Sequence, residues 1–481
     1  MRTSLAGLVA TVILLSSAPA PLLAHGRLKS STPAAGAHLA QVPRQLRLDF
    51  TETAELTFTL VRLVSASGEE IRLAPLAFAP DSRRGVIAPV IGAMAAGTYV
   101  VTWQVAGDDG HPVRGRFEFV VAPGAMGVGA TAGEMAGMHH DPVSMPEGPG
   151  FGAESPVYVV IRWLQFVALL LVVGAVSFRY FVLGRLRSDR SSDGEQVTLA
   201  FVADAERSAA RWGVAAVGAL ALTLILRLIA QSYAMHGAGS TFDASLLGGM
   251  LRATMWGWGW LVQLAAVVLA GTGFHYARGA SRDVLLPGGT RASGREVWWR
   301  LAACGAVAAA FSPALSSHAS SAPRLRVLAI VADGLHVVGA SSWLGTLAIV
   351  LVAGLAAAKR QEPAARGMLV RALIYAFSPV ALASAGLAAA TGVFAAWLHI
   401  GTIPNLWGTR YGITLSIKLA ILGVVTLTGF YNWRFVQPGL GTDVATVRIQ
   451  RSARVEAAVA VLVLLVTAVL VASPTSMDAQ M

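Results

Sequence analysis

Residues 98–121 read TYVVTWQVAGDDGHPVRGRFEFVV. Two alternating apolar runs, Tyr99–Val105 and Phe117–Val121, flank the polar connection Gly107-Asp108-Asp109-Gly110-His111-Pro112. Alternating Val, Tyr, Trp and Phe is the signature of strands half-buried on one face, and Gly, Asp and Pro mark a turn. Asp109 and His111 are two positions apart, so on an extended segment both side chains leave the same face. A carboxylate beside an imidazole is a partial metal site that needs a third ligand. His25 is the candidate for that ligand.

The strands around this hairpin define one all-β domain over residues 25–122. Its candidate strands are Leu46–Phe50, Leu56–Val64, Ile71–Ala74, Arg84–Pro89, Tyr99–Val105 and Arg116–Val121. Gly and Pro punctuate them at the spacing of a β-sandwich, and Trp103 is placed to fill the core. Upstream, residues 1–24 read as a secretory signal, with Arg2 ahead of the apolar run Leu5–Leu15. Cleavage after Ala24 would leave His25 as the mature N-terminus, where α-amine and imidazole chelate one metal together. Cleavage after Ala20 is the competing reading.

The whole chain has 481 residues, of which 55% are hydrophobic and 13% charged. That balance excludes a purely soluble protein and points to a membrane protein with a soluble part. The net charge of +11 comes mostly from Arg beside apolar segments. That is a topology signal and argues against a nucleic-acid partner. Cys304 is the single cysteine, so a metal must be held by His, Met, Asp, Glu or backbone groups.

Residues 123–155 are a Gly/Pro/Ala/Met-rich linker. It carries Met135, Met138, His139 and His140, whose thioethers and imidazoles suit Cu(I) and Cu(II). A domain of eight apolar spans follows over 156–475: 157–183, 212–234, 256–277, 298–316, 327–355, 370–398, 412–432 and 455–473. Each is near the ~20 residues a bilayer requires. Eighteen Lys and Arg flank the loops after the odd-numbered spans as far as the seventh, against four after the second, fourth and sixth. The positive-inside rule makes the first set cytoplasmic. The β-domain and the C-terminus are then outside. Of ten histidines, only His275 falls at a cytoplasmic span end, and the others form a trail on or toward the outer side, with His236, His318 and His399 at outer span ends.

Ionisable groups inside a span are costly and need a reason. The fifth span carries Asp333 and His336 three residues apart, on one helix face. Gly334, Gly339, Ala340, Ser341 and Ser342 let a neighbouring helix approach. The fourth ends Ser316-Ser317-His318, so antiparallel packing of the two would bring His318 toward His336. Asp333 is then a second-shell or proton partner. Arg227, Lys418 and Glu456 complete the expected intramembrane charges, with snorkelling or mutual pairing as their reading.

At this point the chain resembles two known families. GTYVVTWQVAGDDGHPVRGRFEFVV (97–121), His25 after a signal peptide, and LDFTE (48–52) resemble the periplasmic copper-binding protein CopC. SSHAS (316–320), ADGLHVVGASSWLG (332–345), GTRYGITLSIKLAIL (408–422), NWRFVQP (432–438) and RVEAAVAVLVLLVTAVLVASP (454–474) resemble the copper-resistance membrane protein CopD. The resemblance implies Cu(II) held by the amine and imidazole of His25 with Asp109 and His111, and Glu52 of LDFTE is carried as an auxiliary residue. Met94 is the one methionine of the mature β-domain. The Met cluster of some family members is absent, so a Cu(II)-only domain is expected.

The leading expectation is a non-enzymatic copper-binding protein of the bacterial inner membrane. It captures Cu(II) outside, from the medium or from periplasmic copper carriers, and passes copper to an intramembrane histidine site for uptake. Sequestration or export is the alternative in the same class. A membrane haem or electron-transfer protein using His318 and His336 is the alternative from another class, as is a histidine-brace oxygenase. No ATP-binding loop or phosphorylation-aspartate motif is present, which excludes an ATPase.

Overall fold

Between Gly97 and Val121 the alternation of the sequence becomes a ten-residue antiparallel ladder. The computed structural model describes residues 28–51, 53–106, 112–123, 155–188, 195–279, 283–285, 291–316, 325–437 and 443–473. The ladder consists of β8 (Gly97–Ala106) and β9 (Pro112–Val121), paired from Gly97↔Val121 to Ala106↔Pro112. Tyr99, Val101, Trp103 and Val105 point inward from β8, and Val113, Phe117, Phe119 and Val121 from β9. Tyr99 stacks on its register partner Phe119 at 5.8 Å. Gly115 lies opposite Trp103, and a Cβ there would stand 2.7 Å from the indole Cε2. Glycine is required at that position because the indole occupies the space of a side chain.

Two sheets close the core. One has the order β2 (His38–Leu39), β9, β8, β4 (Leu60–Ser65), β5 (Glu70–Ile71). The other has the order β1 (Leu28–Thr32), β3 (Gln45–Phe50), β7 (Ser82–Pro89), β6 (Ala77–Ala79). Leu46, Leu48 and Phe50 of β3 and Val86 and Ala88 of β7 meet the β8–β9 face, with Phe50 edge-on to Trp103 at 5.2 Å. Trp103 is a core residue, as expected. Two expected strands are shorter than their apolar runs. Leu56–Phe58 forms a 3-10 turn ahead of β4, and pairing with β4 ends at Ile71. The short strands β1, β2 and β6 carry too little alternation to be read from sequence.

The helical part contains α1 (Pro156–Ser188), α2 (Glu195–His236), α3 (Ala244–Ala253), α4 (Met255–Ala277), α5 (Gly294–Phe311), α6 (Arg326–Lys359), α7 (Pro363–Ile400), α8 (Asn405–Gly408), α9 (Arg410–Val436) and α10 (Asp443–Ala472). A short hairpin, β10 (Asp283–Leu285) with β11 (Arg291–Ser293), precedes α5. Among the described residues, seven helices are long and apolar enough to cross a membrane: α1, α2, α4, α6, α7, α9 and the Arg448–Ala472 part of α10. The expected fourth span is present as α5 with a 3-10 turn at Ser312–Ser316. Its first turns carry Arg295, Glu296 and Arg300, and this charge separates it from the other seven. Trp299, Ala302, Ala306, Ala309 and Ala310 nevertheless bury it in the helical core.

Contacts divide the chain into two units. Among the described residues, one comprises those within 155–228 and 258–473, and the other those within 28–123 and 229–257. The second unit therefore includes the β-sandwich together with the last turns of α2, all of α3 and the start of α4. Within the first, α1 and α6 approach closely at Gly174 and Gly345. A Cβ on Gly345 would stand 3.1 Å from Gly174 Cα. Small residues permit this contact, as the sequence of span five implied. Just before it, Ser342 Oγ lies 2.9 Å from Ser177 Oγ. Residues Ser341–Gly345 adopt a π turn, as do Phe178–Val182, Val350–Gly354 and Asn432–Val436.

Candidate metal centre

The strand ends that carry the Asp109–His111 connection are fixed by two polar side chains. Alternation on β8 breaks at Gln104, which is 2% exposed although it faces away from the sandwich core. Its register partner on β9 is Arg114. Arg114 Nε donates to Gln104 Oε1 at 2.7 Å, and Arg114 Nη2 donates to Ala234 O at 2.9 Å. Gln104 Nε2 donates to Met235 O at 3.0 Å. Both carbonyls belong to the last turn of α2, where no amide remains to satisfy them. A cation at that end also complements the helix dipole. Burial holds the Arg114 guanidinium below its ordinary range. Each anchoring residue is two positions inside its strand end, so the base of the connection is fixed from both sides. Asp109 and His111 themselves lie outside the described residues, as do His25, Glu52, Met135, Met138, His139, His140 and His318.

The second candidate is His336, half-buried on α6. Its Nδ1 is 2.9 Å from Ala388 O and 3.2 Å from Thr391 Oγ1, both on α7. A carbonyl only accepts, so Nδ1 carries the proton and Nε2 of the neutral ring keeps its lone pair. Gly392 makes room for the ring, since a Cβ there would stand 3.2 Å from Cε1. The ring is thus oriented by α7, and this arrangement fixes a tautomer suited to a metal. Asp333 precedes it by one turn. Lys418 on α9 lies within electrostatic range of both Asp333 and His336. Among the described residues no cluster of three or more His, Cys, Asp and Glu forms.

Two intramembrane charges escape the sequence reading. Arg162, 6% exposed, lies over the Tyr158 ring at 4.9 Å and donates to Ala468 O at 3.4 Å. Arg179 donates to Glu206 Oε1 at 2.7 Å and to Glu296 Oε2 at 2.6 Å, while Arg187 also reaches Glu206. This network ties α1, α2 and α5. Both arginines stand inside the 157–183 run and are readable as charges there. Their partners are remote in sequence and are not. Of the charges expected in the membrane, Arg227 donates to Ser316 Oγ at 3.1 Å, and Glu456 accepts from Asn432.

Comparison with known proteins assigns these regions. The CopC domain model matches residues 28–122, the Copper resistance protein D-like N-terminal domain matches 153–324, and Copper resistance protein D matches 371–470. The chain belongs to the CopC–CopD fusions. The Copper transport protein CutJ of Bacillus subtilis (strain 168) is 22% identical over 95% of this chain and 75% of its own length. Copper resistance protein C of Pseudomonas syringae pv. tomato is 34% identical over 25% of this chain and 96% of its own length. The crystal structure of CopC from Methylosinus trichosporium OB3b is 27% identical, covering 21% of this chain and 98% of that one, with a TM-score of 0.20. The chain is thus a multi-pass membrane protein of the copper resistance and transport class, built from a CopC sandwich and a CopD helical domain. Families of this class are not enzyme families.

Proposed function

We propose that this CopC–CopD fusion takes copper up across the bacterial inner membrane. The sandwich faces the periplasm and captures Cu(II) through His25, Asp109 and His111, with Glu52 as an auxiliary residue. Copper then passes to an intramembrane site at His336 and His318, with Asp333 as second-shell or proton partner. Met135, Met138, His139 and His140 of the linker assist the transfer by weak, transient contacts. The observation that carries the reading is the α6 imidazole. Ala388 O holds its Nδ1 proton, so its Nε2 lone pair is left to a metal. Copper inside a bilayer must exchange water for such ligands, because bare charge in hydrocarbon is prohibitively costly.

The test is cellular copper content with the wild-type chain and with His336→Ala, at matched protein levels. The reading requires loss of the copper accumulated above the level of cells lacking the protein. Wild-type accumulation by the variant would remove His336 from the route. Cu(II) EPR on the sandwich, with and without one extra residue ahead of His25, tests the terminal amine. An unchanged spectrum and affinity would exclude it as a ligand.

A further inference from the structure

The last turn of α2 ends in a histidine that neither candidate centre uses. His236 is half-buried, yet its Nε2 is shut off from solvent and has no hydrogen-bond partner among the described residues. Its other nitrogen is committed. Nδ1 lies 3.2 Å from Ser232 Oγ, and Ser232 spends its single hydroxyl proton on Thr241 O at 2.7 Å. Ser232 can therefore only accept from the ring. Nδ1 carries the proton, and Nε2 is a lone pair with nothing to bind. A buried polar atom left in this state costs free energy that a ligand would recover.

The position of this lone pair matters. The ring packs against Phe58 of the sandwich, with centroids 5.9 Å apart. Phe58 is 4% exposed, so the contact is enclosed. Ala234 and Met235, the two residues before His236, accept the Arg114 and Gln104 bonds that fix the base of the β8–β9 connection. His236, the sandwich and these anchors all belong to one unit of the chain. The anchored end of the β8–β9 ladder thus meets the α2 turn that ends in an imidazole with a fixed tautomer and an unused nitrogen. The oriented N–H and free lone pair are what a metal-binding histidine presents.

We propose that His236 Nε2 is a further copper ligand, reached at the β8–β9 end of the sandwich, and the first group of the helical domain to receive the metal. The proposal rests on the reading that the β8–β9 connection holds copper. The step is ligand exchange: one Cu–N bond forms at Nε2 as a sandwich ligand leaves, with no change in oxidation state. Ser232 is a positioning residue that holds the tautomer.

The test uses the full chain in lipid nanodiscs with one equivalent of Cu(II), comparing wild type with His236→Phe, which keeps a ring against Phe58. Pulsed EPR counts coordinated imidazoles. The proposal predicts one imidazole fewer in His236→Phe, an intermediate loss of that signal in Ser232→Ala, and, in the absence of copper, comparable thermal stability of wild type and His236→Phe. Identical spectra in wild type and His236→Phe overturn it, whatever happens to transport. Copper uptake by His236→Phe and His336→Ala is measured alongside. If the spectra differ but both variants take up copper like wild type, His236 stands as a ligand and the uptake reading fails. If only His336→Ala loses uptake and the spectra are identical, the uptake reading stands and His236 is structural.

Discussion

The sandwich and the helical domain place their polar groups in opposite directions. In the sandwich, the ion pairs lie on the surface. Arg62 meets Glu70 at 2.7 Å, and Arg47 meets Asp49 and Asp81 at 2.9 and 2.8 Å, with side chains 24–62% exposed. Its interior is apolar, from Leu46 to Val121. In the helical domain, the groups shut inside are Arg162, Gln165, Arg179, Glu206, Gln263 and Glu456. Water surrounds the first domain and hydrocarbon the second, so polar groups are cheapest on the surface of one and, once paired, in the interior of the other. The difference indicates where metal chemistry belongs in each. The copper site proposed for the sandwich is accordingly on a connection between strands, and the one proposed for the helical domain is between helices.

The largest effect expected is functional. Replacing His336 by Ala should lower copper accumulation at least about tenfold, while Thr391→Val, which removes only the weaker Nδ1 partner, should lower it less. Equal losses in the two variants would mean that helix packing around α6 and α7, not the imidazole, is what copper uptake senses. Next comes the buried network. Glu206→Ala leaves Arg179 and Arg187 without their shared carboxylate and should cost about 3–5 kcal/mol, read as loss of thermal stability in detergent. A loss under about 1 kcal/mol would show that water reaches this end of the helices and that the contrast between the domains is weaker than argued.

Trp103→Ala attacks the apolar half of the comparison. It should destabilise the isolated sandwich by about 3–5 kcal/mol in urea unfolding. The mirror-image experiment on the surface should do little. The Arg62 guanidinium beside Glu70 holds its carboxyl below the usual carboxylate range. A depressed folded value stabilises above the unfolded value, near ~4.3 for Glu, and that contribution disappears as the pH falls through the folded value. Because the pair is exposed, Glu70→Gln should cost only ~0.2–1 kcal/mol at pH 7 and nothing in strong acid. A cost that persists in acid would assign the effect to packing of the long side chain rather than to charge.

The sandwich was legible because the signal is local. Tyr99, Val101, Trp103 and Val105 alternate in plain view, and Gly107 to Pro112 mark the connection. Leu56–Phe58 misled because an apolar run does not distinguish a strand from a 3-10 turn, and β2 is only His38–Leu39. In the helical domain, span existence follows from composition, and the small residues of α6 correctly announced close packing. The partners did not. Nothing near His336 in sequence points to Ala388 or Thr391, which are more than fifty residues away. By strand alternation Gln104 and Arg114 are outward positions, and only the fold brings the end of α2 against them. Arg162 and Arg179 were visible as charges in an apolar run. Tertiary partners, which composition cannot supply, are what make their burial tolerable.

The central claim is that copper crosses the helical domain by way of His336. The most direct measurement is copper flux into liposomes carrying the purified full-length chain, with a copper-responsive dye inside and copper outside. The account predicts flux through the wild-type chain and none above protein-free liposomes through His336→Ala, with equal amounts of folded protein and equal Cu(II) EPR signals from the sandwich. Equal flux through both would contradict it.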